Sequence, residues 1–151
     1  MNVSQRDISL FSNLRFILDE TSHPGNIGMV ARAMKTMGFS RLVLVRPRLS
    51  DALTHESAIQ LASNAVDTPE NAEIVASVDE ALKVSRFACA VTIRFRDFSP
   101  PIIRAREAAV PLAIHPDLNP ARVFRSEKYG SPNETADKFP AMFFIPVRLP
   151  T

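Results

Sequence analysis

Asn26 and Arg32 are the side chains of the first forty residues best suited to chemistry, because they bracket the start of a helical pattern. Ile27, Val30, Ala31, Met34 and Met37 recur there at three- and four-residue spacing. An arginine is a permanent cation whose planar fork of donors suits phosphate, and the free backbone N–H groups at a helix start favour an anion. An amide and a guanidinium in this position could therefore hold a phosphate-bearing ligand. The same residues also allow a plainer reading, with Asn26 capping the helix and Arg32 solvated. Other arginines are clustered, Arg41, Arg46 and Arg48 in one group and Arg94, Arg96, Arg104 and Arg106 in another. Each group can serve as a local phosphate footprint or line an ordinary solvated loop.

The elements that must position these residues follow from the neighbouring runs. Phe16-Ile17-Leu18 reads as a buried strand, and Thr21 to Asn26 as a turn rich in structure-breaking residues. Gly38 supplies the helix stop, since glycine takes the left-handed conformation without steric cost. Leu42 to Val45 is a second strand, so strand, crossover helix and strand make a right-handed βαβ unit. Its first loop lies at the sheet's carboxyl edge, where open α/β sheets bind ligands. Asn26 and Arg32 are expected to flank a crevice at that edge.

Farther on, Arg46-Pro47-Arg48 is a loop, and Asp51 to Ala62 an amphipathic helix with Leu53, Ala58 and Leu61 toward the core. His55 within it is assigned no chemistry. Residues 64–69 form a break, and Ile74-Val75 a short strand. Ser77 to Glu80 reads as a capping box that starts a helix over 79–85. Phe87 to Ile93 is a buried strand without alternation, as in a parallel sheet covered on both faces. Arg94 to Pro101 forms an irregular loop, and Ile102 to His115 a helix interrupted at Pro111. Ala121 to Phe124 is the next strand, and Ser131, Pro132 and Glu134 start another helix. Met142 to Pro146 is the last strand. The fold class is α/β, a single domain with a mostly parallel sheet and helices on both faces. Residues 1–13 are expected to be a flexible N-terminus and 14–151 the domain.

A chain of 151 residues suffices for one well-packed domain. Its 46% hydrophobic and 23% charged residues exclude a disordered chain. No apolar run is long enough to cross a bilayer, and the N-terminus lacks the apolar core of a signal peptide. The one cysteine, Cys89, cannot form an internal disulfide, which points to the cytoplasm. A net charge of +2 does not by itself declare a nucleic-acid partner. Three histidines and one cysteine lack metal-ligand spacing, so no metal is expected. Four glycines at positions 25, 28, 38 and 130 exclude a G-x-G-x-x-G nucleotide loop.

The run from Glu20 to Gly38 resembles the first motif, N-x-G-x-x-x-R, of the SpoU–TrmH branch of the SPOUT RNA methyltransferases, and its wording is closest to the TrmJ-type enzymes. The resemblance extends over most of residues 14 to 146. It implies a SPOUT-like fold, S-adenosyl-L-methionine as cofactor, tRNA or rRNA as partner, transfer of a methyl group to a ribose 2′-hydroxyl, and a homodimer whose active site draws residues from both subunits. Asn26 and Arg32 would be catalytic. Thr92, Arg125, Ser126, Glu127, Gly130 and Ile145 would contact the cofactor, and Arg46, Arg48, Arg94 and Arg96 the RNA. In the second motif Glu127 and Gly130 match, whereas Arg125 stands where the family has glycine and Ser131 where it has leucine. The third motif's Ser-Leu-Asn triplet is not met before Thr151, so the C-terminal trefoil knot is expected to be incomplete. The alternative is a truncated or degenerate relative that folds, and binds RNA or dimerises, without transferring methyl groups.

Overall fold

β1 (Arg15–Asp19) is the first strand of the chain but lies inside the sheet, hydrogen-bonded in parallel to β2 (Arg41–Val45) on one side and to β6 (Ala121–Arg125) on the other. The computed structural model describes residues 10–92, 102–104, 106–107, 109–110, 119–125 and 141–144. The remaining strands are β3 (Glu73–Val75), β4 (Ala88–Thr92), β5 (Ile102–Arg104) and β7 (Ala141–Phe144). They form one seven-stranded sheet in the order β3-β2-β1-β6-β4-β7-β5, and every pairing is parallel. Among the described residues no helix is long and apolar enough to cross a membrane.

Alternation along the strands feeds two cores. Ile17, Val43, Val45, Ala90 and Val123 join Val78 and Ala81 of α4 (Val78–Leu82) on one face. Leu18, Leu42 and Leu44 meet Ile27 and Met34 of α1 (Pro24–Met37) on the other. Burial on both faces explains why β2 and β4 read as continuous apolar runs. Phe16 continues the α1 side, stacked on Phe124 at 6.5 Å and tilted against Phe39 at 5.2 Å.

α1 begins earlier than its apolar periodicity suggests. His23 is the N-cap, without a side-chain cap bond, and Pro24 occupies the first turn, where its missing N–H costs nothing. Asn26 therefore lies inside the helix rather than capping it, its backbone N–H donating to the His23 carbonyl at 3.1 Å. Gly38 ends the helix at φ 89°, as its position predicts, and the Phe39 N–H returns to the Met34 carbonyl at 2.8 Å.

Several further expectations are corrected. The second helix, α2, runs Glu56–Ala62 rather than from Asp51, because residues 51–54 close turns on themselves. His55 precedes it and caps it, its Nδ1 accepting from the Ser57 N–H at 3.1 Å. Leu61 is exposed instead of buried. The stretch 64–69 is a 3₁₀ turn, Ser63–Ala65, followed by the short helix α3 (Asp67–Glu70). Ile102–Arg104 is strand β5 against β7 rather than helix, as suits two consecutive β-branched residues; residues 106–107 and 109–110 are helical. Residues 10–13, assigned above to the flexible leading segment, form a helical turn whose Phe11 ring lies 4.9 Å from Phe39. The capping box at Ser77 is present: Ser77 Oγ accepts from the Glu80 N–H at 3.1 Å, and Glu80 Oε2 accepts from the Ala76 N–H at 3.0 Å.

α1 and α2 touch backbone to backbone. A Cβ on Gly28 would overlap the Ala58 carbonyl oxygen and lie 2.8 Å from the Ala62 nitrogen. Ala31, Ala62 and Ala65 fill the seam, leaving no room for a larger side chain, so Leu61 is displaced to the rim beside Gly25. Lys35 closes the far end, donating to Asp67 at 2.7 Å and to the Asn64 carbonyl at 3.0 Å. Replacing Gly28 with alanine must separate the two helices, and should destabilise the chain by about 1–3 kcal/mol in urea denaturation. An unchanged midpoint would mean that the seam is not close-packed.

Candidate active site

The carboxyl ends of the strands form one continuous edge. Asp19 of β1 lies in register with Val45 of β2 and with Arg125 of β6; Thr92 of β4 lies in register with Phe144 of β7. The loop leaving β1, residues 20–23, leads into α1 and so brings the first motif to this edge.

Two residues at the edge are held in the left-handed region, Glu20 at φ 53° and Arg46 at φ 44°. Non-glycine residues take this conformation only where their surroundings enforce it, at a cost of about 1–3 kcal/mol each. Backbone bonds supply the enforcement. The Glu20 N–H donates to the Val45 carbonyl at 2.8 Å, the Arg46 N–H to the Val75 carbonyl at 3.1 Å, and the Arg48 N–H to the Thr21 carbonyl at 3.2 Å. The loops after β1 and β2 are thereby joined side by side. Between them Asp19 is 2% exposed, and its Oδ1 accepts from an Arg46 Nη at 3.3 Å, while 51% of the Arg46 side chain faces solvent.

Asn26 is partly buried in the first turn of α1, and Arg32 is exposed farther along the helix. The rise from 26 to 32 is about 9 Å, and the two positions lie about 120° apart around the axis. Arg32 lines a groove of about 450 Å³ with Met29, Ala33, Thr36, Met37 and Leu61. Asn26 is not part of that lining. The structure joins Arg32 to an apolar groove between α1 and α2, and keeps Asn26 in the first turn of α1, near the sheet edge. Met29, Met37 and Leu61 are 57%, 64% and 44% exposed, so the groove's walls are apolar and open.

Of the remaining expected positions, Thr92 and Arg125 stand at the ends of β4 and β6, and Arg46 and Arg48 follow β2. Ser126, Glu127, Gly130, Ile145, Arg94 and Arg96 lie outside the described residues, as do residues 145–151, on which the expectation of an incomplete knot bears. Asp19 went unnoticed in the sequence because the strand reading stopped at Leu18. Its signal was a carboxylate closing an apolar run at the mouth of the first-motif loop.

The sequence pattern of the SpoU rRNA methylase family matches residues 13–149. The chain belongs to this family. It is 40% identical over 130 residues to the tRNA (cytidine/uridine-2′-O-)-methyltransferase TrmJ of Pectobacterium atrosepticum, covering 85% of this chain and 53% of that protein. Against the TrmJ of Escherichia coli K12 the identity is 39%, with coverage of 85% and 52%. The chain thus spans about half the length of these relatives. Among solved structures, a probable methyltransferase from Bordetella pertussis Tohama I superposes with a TM-score of 0.85 at 39% identity, over 93% of this chain and 85% of that one. TrmJ from Z. mobilis ZM4 superposes with a TM-score of 0.81 at 28% identity, over 89% and 58%. The fold is that of the SPOUT methyltransferases.

Cys89 and Arg122 are register partners on β4 and β6. Burial pushes the Cys89 thiol above its ordinary range and pulls the Arg122 guanidinium below its own. Cys89 is fully buried, so at pH 8 it should stay a neutral, inaccessible thiol. An aromatic disulfide reagent should label it only in urea; rapid labelling of the native chain would place it at the surface.

Proposed function

We propose that this chain is the catalytic domain of an S-adenosyl-L-methionine-dependent ribose 2′-O-methyltransferase acting on tRNA. The observation that carries the reading is the N-x-G-x-x-x-R segment: it occupies α1, at the carboxyl edge of a parallel sheet, in a chain 40% identical to a TrmJ enzyme. The domain is taken to run over residues 14–151 and to work in the cytoplasm. A ribosomal RNA substrate is the nearest variant of the same reading, in keeping with the family's description.

The edge formed by Thr92, Arg125 and the end of β7 suits a nucleoside-bearing cofactor, because α/β sheets bind such groups outside their carboxyl ends. Backbone around Thr92, Arg125 to Gly130 and Ile145 would hold S-adenosyl-L-methionine, with Glu127 bracing that loop. The cofactor supplies an electrophilic methyl group; the protein's work is to align the acceptor and exclude water. A guanidinium is essentially never deprotonated, so Arg32 would bind the phosphate next to the target ribose and stabilise alkoxide charge as it develops. Asn26 would orient the ribose, or the arginine, through its amide. Arg46, Arg48, Arg94 and Arg96 would hold RNA phosphates.

The separation of Asn26 from Arg32 supports a homodimer. The groove around Arg32 exposes Met29, Met37 and Leu61, an apolar surface suited to a second copy. There Arg32 of one subunit would complete the cofactor edge of the other.

Calorimetric titration with S-adenosyl-L-methionine should give a dissociation constant of roughly micromolar order, near −8 kcal/mol. Absence of heat at millimolar cofactor would instead favour a folded relative without transfer activity, the reading to which Arg125 in place of glycine lends support. With an unmodified tRNA transcript, Arg32→Ala should slow methyl transfer by roughly 100-fold. Because Arg32 is exposed, its removal should leave the melting temperature unchanged. An unaltered rate would take Arg32 out of the mechanism.

A further inference from the structure

We infer that Asp19 is a positioning residue for RNA, fixing the Arg46 guanidinium at the sheet's carboxyl edge as a clamp for a backbone phosphate. The inference rests on the RNA reading above and assigns a role to a residue outside the first motif.

Asp19 is 2% exposed, yet its carboxylate lies at the end of a strand, beside the loop that carries the first motif. A buried carboxylate is costly unless it is paired, and Arg46 reaches it from the neighbouring strand end at 3.3 Å. The arginine approaches from a left-handed backbone, φ 44°, fixed by the bond from its own N–H to the Val75 carbonyl. One Nη is committed to Asp19, whereas half of the side chain remains in solvent. A guanidinium held at one corner and open on its other edges is preorganised to donate to phosphate, since the entropy of ordering it is lost before the ligand arrives. Arg48 follows in the same loop, and its N–H bond to the Thr21 carbonyl ties that loop to the segment leading to Asn26. The clamp would therefore grip RNA beside the first motif.

Charge counting and bracing make opposite predictions, which allows a clean test. Asp19→Asn is close to isosteric and adds one net positive charge, so simple electrostatics has it tighten RNA binding or leave it unchanged. Bracing predicts the reverse. Affinity for an unmodified tRNA transcript would be measured by filter binding between 50 and 300 mM salt, on the full chain, with melting temperatures recorded for each variant. Arg46→Ala should weaken binding by about tenfold and lower the slope of log affinity against log salt by about 1. Asp19→Asn should weaken binding about threefold with the slope nearly kept, since the phosphate contact is loosened rather than removed. In the Arg46→Ala background Asp19→Asn should have no further effect, which a general loss of folding could not produce. KM for tRNA should rise in both variants while kcat holds. Equal or tighter binding by Asp19→Asn, or an Asp19→Asn effect that persists without Arg46, overturns the clamp alone. A wild-type chain that binds no tRNA overturns the clamp together with the RNA reading beneath it.

Discussion

The contact between α1 and α2 at Gly28 governs where the rest of the first motif can stand. Two helices whose backbones meet at a carbonyl oxygen have lost the freedom to slide or rotate, because every other separation opens a void or a clash. Once that seam is closed, Ile27, Ala31 and Met34 must face inward. Arg32 is then left on the outer rim with Leu61, and Asn26 at the sheet edge. The glycine of N-x-G-x-x-x-R is thus a packing residue, and it sets the orientation of the two polar residues on either side of it. Chemistry and packing share one segment because a helix can offer a fixed side chain only if its opposite face is immovable.

The carboxyl edge shows a different solution to the same need. No helix packing fixes Arg46; its position comes from three backbone bonds that join successive strand ends and from one buried carboxylate. Two arginines at either end of one helix-to-strand passage are therefore held by unrelated means. Arg32 is presented by a rigid helix and surrounded by apolar side chains, while Arg46 is tethered at one corner. The first arrangement suits burial against a partner surface and the second a ligand arriving from solvent.

Much of this could be read from the residues. The strands β1, β2 and β4 were legible because burial on both faces writes itself as unbroken apolar runs, and Gly38 marked the end of α1 through its backbone alone. Other features depend on neighbours distant in sequence. Nothing local says that 51–54 fold into turns, that Leu61 lies at the rim of the helix seam beside Gly25, or that Ile102–Arg104 find β7 as a partner. Asn26 and Arg32 could be chosen by residue type, and helix geometry alone sets them about 120° apart, but that Arg32 lines a groove depends on where α2 lies. The carboxylate of Asp19 closing its apolar run was there to be read, but its pairing with Arg46 emerges only at the folded edge.

The place of β1 in the sheet has a consequence for how the molecule comes into being. One edge of β1 is covered as soon as β2 is made, but the other waits for β6, roughly a hundred residues later in the chain. During synthesis that open edge, with Ile17 and Leu18 on its two faces, leaves the ribosome long before its partner exists. Closing so distant a pair is slow on topological grounds, and an unpaired apolar strand held open meanwhile invites association with other nascent chains. The half-built domain is thus at its most vulnerable at a strand that later lies inside the sheet, and a chaperone that shelters the first fifty residues would act at the right moment.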